Sequence, residues 1–385
     1  MATAGTDGGL GVYVHFPFCR SICPYCDFAV EAPREIPQAR YAAAVAAELS
    51  RRAEEFALHG PVRSIFFGGG TPSLWAPAGI ATVLCAIERA IGRPSGIEVT
   101  LEANPEDHAP EILRALLDLG VNRISWGVQS FQPAVLKSLG RGRRSRGAPV
   151  AIETSLALGF PSVAVDLMYG AAGEEADTAA NDARRAAALG VHHVSAYALT
   201  LDELVVETPL ARAARDGRYA APDADAQAEQ GHALRVALAE RGFARYEISN
   251  FARSGAFSVH NLGYWEGRPY LGLGPGASGA TRSRRYENGR SVAAYLASVE
   301  AGGLPPGTSE PLDEATRWTE RVFLGLRLCR GIDLEALARE FGRGRVDGLR
   351  ATAASLGGLV ILDGPRLFLT ERGLDLHTEI AARLG

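Results

Sequence analysis

From residue 11 to about residue 200, short β-branched apolar runs alternate with Ala- and Leu-rich stretches of helical period. The runs at 11–16, 62–67, 97–102, 123–127, 162–167 and 193–197 read as strands, and the stretches at 38–57, 78–91, 109–119, 148–159 and 176–189 read as helices. Repeated βα units of this spacing predict an α/β fold with a parallel sheet, and six strands suffice for an open, partial (β/α)6 barrel. Beyond residue 200 the period breaks. A helix near 223–241 leads to a loop-rich stretch, 259–265, and then to the glycine-dense segment 272–277, where tight turns against a ligand or the barrel mouth are expected. From Asp313 the pattern predicts helices, two short strands at 359–362 and 367–369, and a final helix from about Thr370, a tail resembling a winged helix. The chain thus divides into a flexible amino terminus (1–10), a barrel (11–240), a loop-rich segment closing the barrel mouth (241–310) and a helical, winged-helix-like appendage (311–385).

Polar and glycine residues gather just after the predicted strands. The first strand is followed by Cys19, Cys23 and Cys26, the second by Gly68, Gly69, Gly70 and Thr71, the third by Glu102, the fourth by Gln129, and Asp166 lies near the end of the fifth. In parallel barrels, loops from many strands converge at the carboxyl-terminal edge, so these segments predict one composite site. The C-x-x-x-C-x-x-C spacing puts three thiols on one small loop, and a four-iron cube held by three thiolates keeps one iron open to an outside ligand. A zinc site would want a further Cys or His pair, whereas Cys85 and Cys329 stand alone in apolar helical contexts and are expected to be buried as small apolar residues.

Composition narrows the function. The hydrophobic content of 47% is ordinary for a globular protein, and the net charge is −4. Arg141, Arg143, Arg144 and Arg146 cluster, but no basic stripe with interleaved aromatics runs along the chain, so nucleic acid is not an expected partner. No apolar run approaches a membrane span and the first residues do not read as a signal peptide, which predicts a cytoplasmic protein with reduced cysteines.

Each site residue also has a plain structural reading. The glycine run can be a simple turn, or it can offer backbone groups to a charged small molecule. Glu102 can be a surface carboxylate or can accept hydrogen bonds from ribose hydroxyls. Arg141 can be a solvated loop residue or can hold a carboxylate bidentately, and Asp166, flanked by apolar residues, needs a partner to offset its burial. His260, within His260-Asn261-Leu262-Gly263-Tyr264-Trp265, suits a turn with aromatic packing as well as a ligand.

At these residues the chain resembles radical S-adenosylmethionine proteins, and within them the family of oxygen-independent coproporphyrinogen III oxidase and its relative, the HemW-type haem chaperone. The resemblance runs from Gly11 to about Gly373. It implies a [4Fe-4S] cluster on Cys19, Cys23 and Cys26, with S-adenosylmethionine on the open iron as the source of a 5′-deoxyadenosyl radical. It further implies that Tyr13 and Tyr25 lie beside the cofactor, that Gly69, Gly70 and Thr71 contact its methionine end, that Glu102 binds the ribose, and that Gln129, Arg141 and Asp166 complete the pocket. Three features favour the chaperone over the oxidase. Phe28 stands where the oxidase has a further cysteine, only about ten residues precede the first strand, and residues 260–265 reproduce the chaperone's H-N-x-x-Y-W motif, which gives His260 a role toward haem. The chaperone reading implies haem as cargo and haem proteins such as respiratory enzymes as recipients, with a homodimer and a peripheral membrane contact as admissible associations; the oxidase would instead decarboxylate coproporphyrinogen III. Arg143, where relatives carry histidine, and Ala171-Ala172-Gly173-Glu174, where they carry Leu-Pro-Gly-Gln, depart from the family pattern.

Overall fold

A computed structural model describes residues 9–142, 147–202 and 204–385. Arg143, Arg144 and Arg146, and residues 1–8 of the expected amino-terminal arm, lie outside these. The parallel unit is built from β1 (Leu10–Phe16), α1 (Gln38–Ala57), β2 (Val62–Gly69), α2 (Pro77–Ile91), β3 (Glu98–Ala103), α3 (Pro110–Asp118), β4 (Arg123–Gln129), α4 (Pro133–Ser138), α5 (Ala148–Leu158), β5 (Ser162–Tyr169), α6 (Ala176–Ala188) and β6 (His193–Ala198). Next come α7 (Pro209–Arg215), α8 (Ala224–Ala239), β7 (Ala244–Arg245), β8 (Asn250–Ala252), α9 (Val259–Trp265), β9 (Tyr270–Leu273), β10 (Ser278–Ala280), β11 (Arg284–Asn288), α10 (Val292–Glu300) and β12 (Gly307–Pro311). The tail holds α11 (Glu314–Gly325), β13 (Ile332–Asp333), α12 (Leu334–Phe341), α13 (Arg343–Ala354), β14 (Val360–Asp363), β15 (Arg366–Leu369), α14 (Glu371–Asp375) and α15 (His377–Leu384).

The six βα strands lie side by side in chain order and all run parallel. The sheet remains open, with β9 adding in parallel beside β1 and leading through β10 and β11 to β12, while β8 and β7 extend it antiparallel beyond β6. Alternation explains the layers: Leu10, Val12, Val14 and Phe16 of β1 are buried in the main core together with Tyr41, Val45, Leu49 and Phe56 of α1. Each such fully buried large apolar side chain contributes about 1.5–3 kcal/mol. The tail forms a second apolar cluster around Val322, Leu326, Leu337 and Leu367, with its own three-stranded sheet, β13-β15-β14.

Two buried carboxylates tie distant parts of the chain together. Glu48 on α1 pairs with Arg52 at 2.9 Å and accepts hydrogen bonds from Gly274 N, Asn288 Nδ2 and Tyr295 Oη. Glu247, after β7, accepts from Asn250 and pairs with Arg327 of the tail at 3.1 Å. Buried charges need such company to offset desolvation.

Three sequence expectations change. Residues 259–265 form a helix, because the Ser258 side chain caps its amino end and the Glu98 carboxylate accepts hydrogen bonds from Val259 N and His260 N. That helix does not close the mouth: Glu98 opens β3 and Ser64, the partner of His260, lies near the start of β2, so α9 sits at the amino-terminal foot of the strands. The glycine turn, by contrast, does reach the mouth, where Gly274 packs on His15 and Gly276 on Ala29, both with positive φ. Finally, Cys85 is exposed, because α2 turns Ile80, Val83, Leu84 and Ile87 inward and leaves Cys85 on its solvent face; Cys329 is half-buried.

Candidate functional site

The site is built where β1 to β5 end. The loop after β1 carries Cys19, Cys23 and Cys26, all half-buried and none in a disulfide. It is pinned on both sides, as Cys19 N donates to Glu31 O and Cys26 N to Cys23 O. Burial pushes the Cys26 thiol up to about 11, with Cys23, Cys19 and Asp27 adding to the rise and the Phe28 N–H opposing it. Among the described residues no three His, Cys, Asp or Glu side chains gather around a point that could hold a single metal ion. Three thiols on one loop are a donor set of the kind that suits a cluster, where each thiolate binds a separate iron.

The end of β2 packs tightly onto this loop. A Cβ on Gly70 would lie 2.7 Å from Phe18 O, and one on Gly69, whose φ is +109°, would meet the His15 ring at 2.5 Å. Only glycine allows that approach. The amides expected to face a ligand are already used: Gly69 N donates to Glu102 Oε2 (3.0 Å), Gly70 N to Phe16 O and Thr71 N to Phe18 O. What this strand end can offer a bound molecule is therefore carbonyl acceptors, which suit an ammonium group. The buried Thr71 hydroxyl donates to Cys19 Sγ at 3.5 Å and accepts from Asn104 Nδ2 at 3.0 Å.

Arg141, although it opens a charge cluster in the sequence, is buried. It donates to Asn104 Oδ1 (2.8 Å), Gly127 O (3.0 Å) and Tyr25 Oη (3.3 Å), and its Nη1 lies 3.7 Å from Cys23 Sγ. Its Nε has no partner among the described residues. Glu102 of β3 and Asp166 of β5 lie close enough for the charge of Asp166 to act on Glu102. Desolvation, followed by the charge of Asp166, pushes the Glu102 carboxyl up to about 8, with the Gly69 N–H opposing. Burial raises Asp166 as well, against hydrogen bonds from Ser195 and Ser125, the latter at 3.1 Å. At the end of β4, Gln129 has φ +66°, the left-handed region that a non-glycine side chain occupies at a cost of about 1–3 kcal/mol. Such strain gathers at ligand sites.

Tyr13 stands deeper on β1. His15 Nε2 must donate to the Ala29 carbonyl at 2.8 Å, so Tyr13 Oη donates to Nδ1 at 3.0 Å, and burial lowers His15 to about 4, keeping it neutral. For His15 and Asn104 the sequence carries only a signal of position, one directly before the cysteine loop and one two residues beyond Glu102.

The structure thus brings Cys19, Cys23, Cys26, Tyr13, Tyr25, Gly69, Gly70, Thr71, Glu102, Gln129, Arg141 and Asp166 to the carboxyl half of the sheet. His260 is separate. It is 2% exposed, bonded through Nδ1 to Ser64 Oγ and through Nε2 to Tyr264 Oη, both at 2.9 Å, and stacked on Phe66. Burial lowers it to about 3. The cavity beside it measures about 10 Å³, room for about one water and far too little for a porphyrin. In this conformation His260 cannot reach a haem iron.

Comparison with known proteins accords with this geometry. Residues 13–186 match the model of the Radical SAM superfamily, and 312–376 match that of the HemN C-terminal domain. The heme chaperone HemW of Mycobacterium tuberculosis is 38% identical over 94% of this chain and 91% of its own length. That of Bacillus subtilis is 31% identical over 96% and 97%, and the mitochondrial radical S-adenosyl methionine domain-containing protein 1 of Bos taurus is 34% identical over 94% and 87%. Among solved structures, coproporphyrinogen III oxidase (HemN) from Escherichia coli, a radical SAM enzyme, superposes with a TM-score of 0.82 at 21% identity, covering 99% of this chain and 91% of that one.

Proposed function

The chain belongs to the radical SAM superfamily and, within it, to the family of the heme chaperone HemW, and from that premise we propose that it binds haem and delivers it to haem proteins. Membership of the superfamily implies a [4Fe-4S] cluster and S-adenosylmethionine. The residues at the mouth fit both. Cys19, Cys23 and Cys26 would hold the cluster, and Arg141 beside Cys23 would offset the charge of the thiolates. The carbonyls after β2 would take the cofactor's ammonium group, Glu102 its ribose, and Gln129, Asp166, Tyr13 and Tyr25 would enclose it. When bound, the pair supplies one-electron cleavage of the sulfonium to a 5′-deoxyadenosyl radical. The chain's own part is to fix the loop, keep His15 neutral and hold Glu102 as a proton-bearing partner at neutral pH.

The observation that carries the chaperone reading is near full-length similarity to relatives named heme chaperone, at 31–38% identity; the 21% identity to the solved oxidase supports the fold alone. Phe28, 61% exposed beside the cysteine loop, gives no thiol where the oxidase has one. The test is anaerobic. With the cluster reconstituted and S-adenosylmethionine, a reductant and coproporphyrinogen III added, mass spectrometry should find no protoporphyrinogen IX, while haem added to the same protein should bind and pass to an apo-haem protein. Catalytic formation of protoporphyrinogen IX would make the protein an oxidase. Among the described residues no helix is long and apolar enough to cross a membrane.

A further inference from the structure

The motif associated with haem is closed at the foot of the sheet, yet a cavity of about 390 Å³ opens elsewhere, where α8, the ends of β6 and β8, and α14 of the tail meet. Its volume falls within the range of about 300–1,000 Å³ typical of small-molecule sites. One wall is a helix face of small residues: Ala224, Ala228 and Gly231 lie at helical spacing on α8 with Gln227 among them. Ala196 and Ala198 of β6 line this slot with Ile248, Phe251 and Leu374, so one part of its wall is apolar, while Thr200, Gln227 and Ser249 put polar groups on the rest. Tyr169 and the half-exposed Tyr197 add phenol groups, and Tyr197 lies next to Ser195, whose strand pairs with Asp166 of the cofactor pocket.

The cavity's charge is concentrated at one end. Arg235 donates to Asp375 at 3.1 Å, and Arg245 donates to Glu371 at 2.9 Å with Asp375 4.0 Å away. The Arg245 guanidinium is fixed, since Arg245 is 9% exposed and also donates twice to Ile248 O, while Arg235, 19% exposed, is held by Asp375. The carboxylates are loosely placed, with Asp375 45% and Glu371 75% exposed. A ligand carboxylate that takes the place of Asp375 keeps the guanidinium groups paired and returns an exposed carboxylate to water.

We propose that this cleft is the haem-binding site, with the apolar macrocycle in the slot between α8 and β6 and its propionates on Arg235 and Arg245. The inference rests on the haem-chaperone reading and deepens it by placing the cargo beside the cofactor pocket and against the tail. Ala228 is exposed on α8, so Ala228→Trp fills the slot without disturbing the core.

The experiment is a haem titration, followed by absorption, of the full cluster-loaded chain as wild type, Ala228→Trp, Arg235→Glu and His260→Gln, with cluster iron measured in each. The expected result is at least tenfold weaker binding for Ala228→Trp and Arg235→Glu, wild-type affinity for His260→Gln, and the same iron content throughout. Protoporphyrin IX should compete for the wild-type site, and its dimethyl ester, lacking the carboxylates, should not. Wild-type affinity in both Ala228→Trp and Arg235→Glu would overturn the placement while leaving the chaperone reading standing. Absence of haem binding by the wild type would overturn that reading together with the cleft.

Discussion

The two ends of the parallel sheet are both rich in polar and aromatic residues, but only the mouth joins thiols to raised carboxyls. At the foot, His260 has both ring nitrogens bonded, Glu98 caps α9, and the remaining void is no larger than a water. At the mouth, three thiols share a loop, two neighbouring carboxyls are raised, Gln129 is held in a left-handed conformation and Arg141 keeps an unpartnered Nε among the described residues. Buried atoms without a partner among the described residues occur at both ends, Trp265 Nε1 on α9 as well as Arg141 Nε, so what sets the mouth apart is the meeting of thiols, raised carboxyls and a strained turn, the combination that marks a place prepared for something that binds.

The comparison can be broken most sharply at the cysteines. Cys23→Ser should abolish cluster binding, seen as loss of iron and of the cluster's visible absorption after reconstitution, with the melting curve of the cluster-free chain unchanged. A full cluster spectrum in that variant would remove the mouth's assignment altogether.

His260→Ala is the converse experiment at the foot. It leaves Ser64 and Tyr264 without a partner and removes a ring stacked on Phe66, so denaturant unfolding should show a loss of about 2–4 kcal/mol, in the range for core truncations that strand buried polar groups. The iron content should not change.

The raised Glu102 gives the mouth a pH signature. Its carboxyl holds a proton to about pH 8 in the folded chain but only to the ordinary carboxylate range when unfolded, so the folded state binds more protons between those values. Stability of the cluster-free protein is therefore greatest below that window and falls as pH rises through it. Glu102→Gln should flatten the fall and melt later than wild type at pH 8.5, by on the order of 1–3 kcal/mol. An identical pH slope in the variant would show that other groups, such as Glu174 and Asp182, both also raised by burial, carry the dependence.

The smallest effect is expected at Gln129. Gln129→Gly relieves the left-handed strain and should stabilise the cluster-free chain by about 1 kcal/mol, while S-adenosylmethionine affinity, measured on the reconstituted protein, should fall. A gain in stability without a loss of affinity would make Gln129 a turn residue and nothing more.

Much of this was legible beforehand, and the failures have physical causes. Strands β1 to β6 and their helices were readable because buried parallel strands are continuous apolar runs and the helices between them keep their period. Clustering of Cys19, Cys23, Cys26, Glu102, Gln129 and Asp166 followed from their place after strands. Helix α9 was not legible, since Gly263 and the aromatics of its motif suggest a turn, and the Glu98 carboxylate that secures it comes from a strand remote in sequence. Burial of Arg141 was equally hidden, because its partners, Asn104, Gly127 and Tyr25, come from three different loops and strands. Neither could composition reveal that the Gly69 and Gly70 amides bond within the fold; that depends on how closely β2 approaches the cysteine loop.

The parallel pairing of β1 with β9 sets an order of events during synthesis. β1 precedes the cysteine loop and finds β2 early, but its other edge stays open until residues 270–273 have left the ribosome and can add alongside. Unpaired edges invite pairing with other chains, and late, long-range pairing of this sort is slow. Glu48 on α1 waits for the same moment, since Gly274, Asn288 and Tyr295 all arrive with or after β9. The flanks of the cysteine loop, with His15 against Gly274 and Ala29 against Gly276, therefore reach their final packing only when most of the chain has been made.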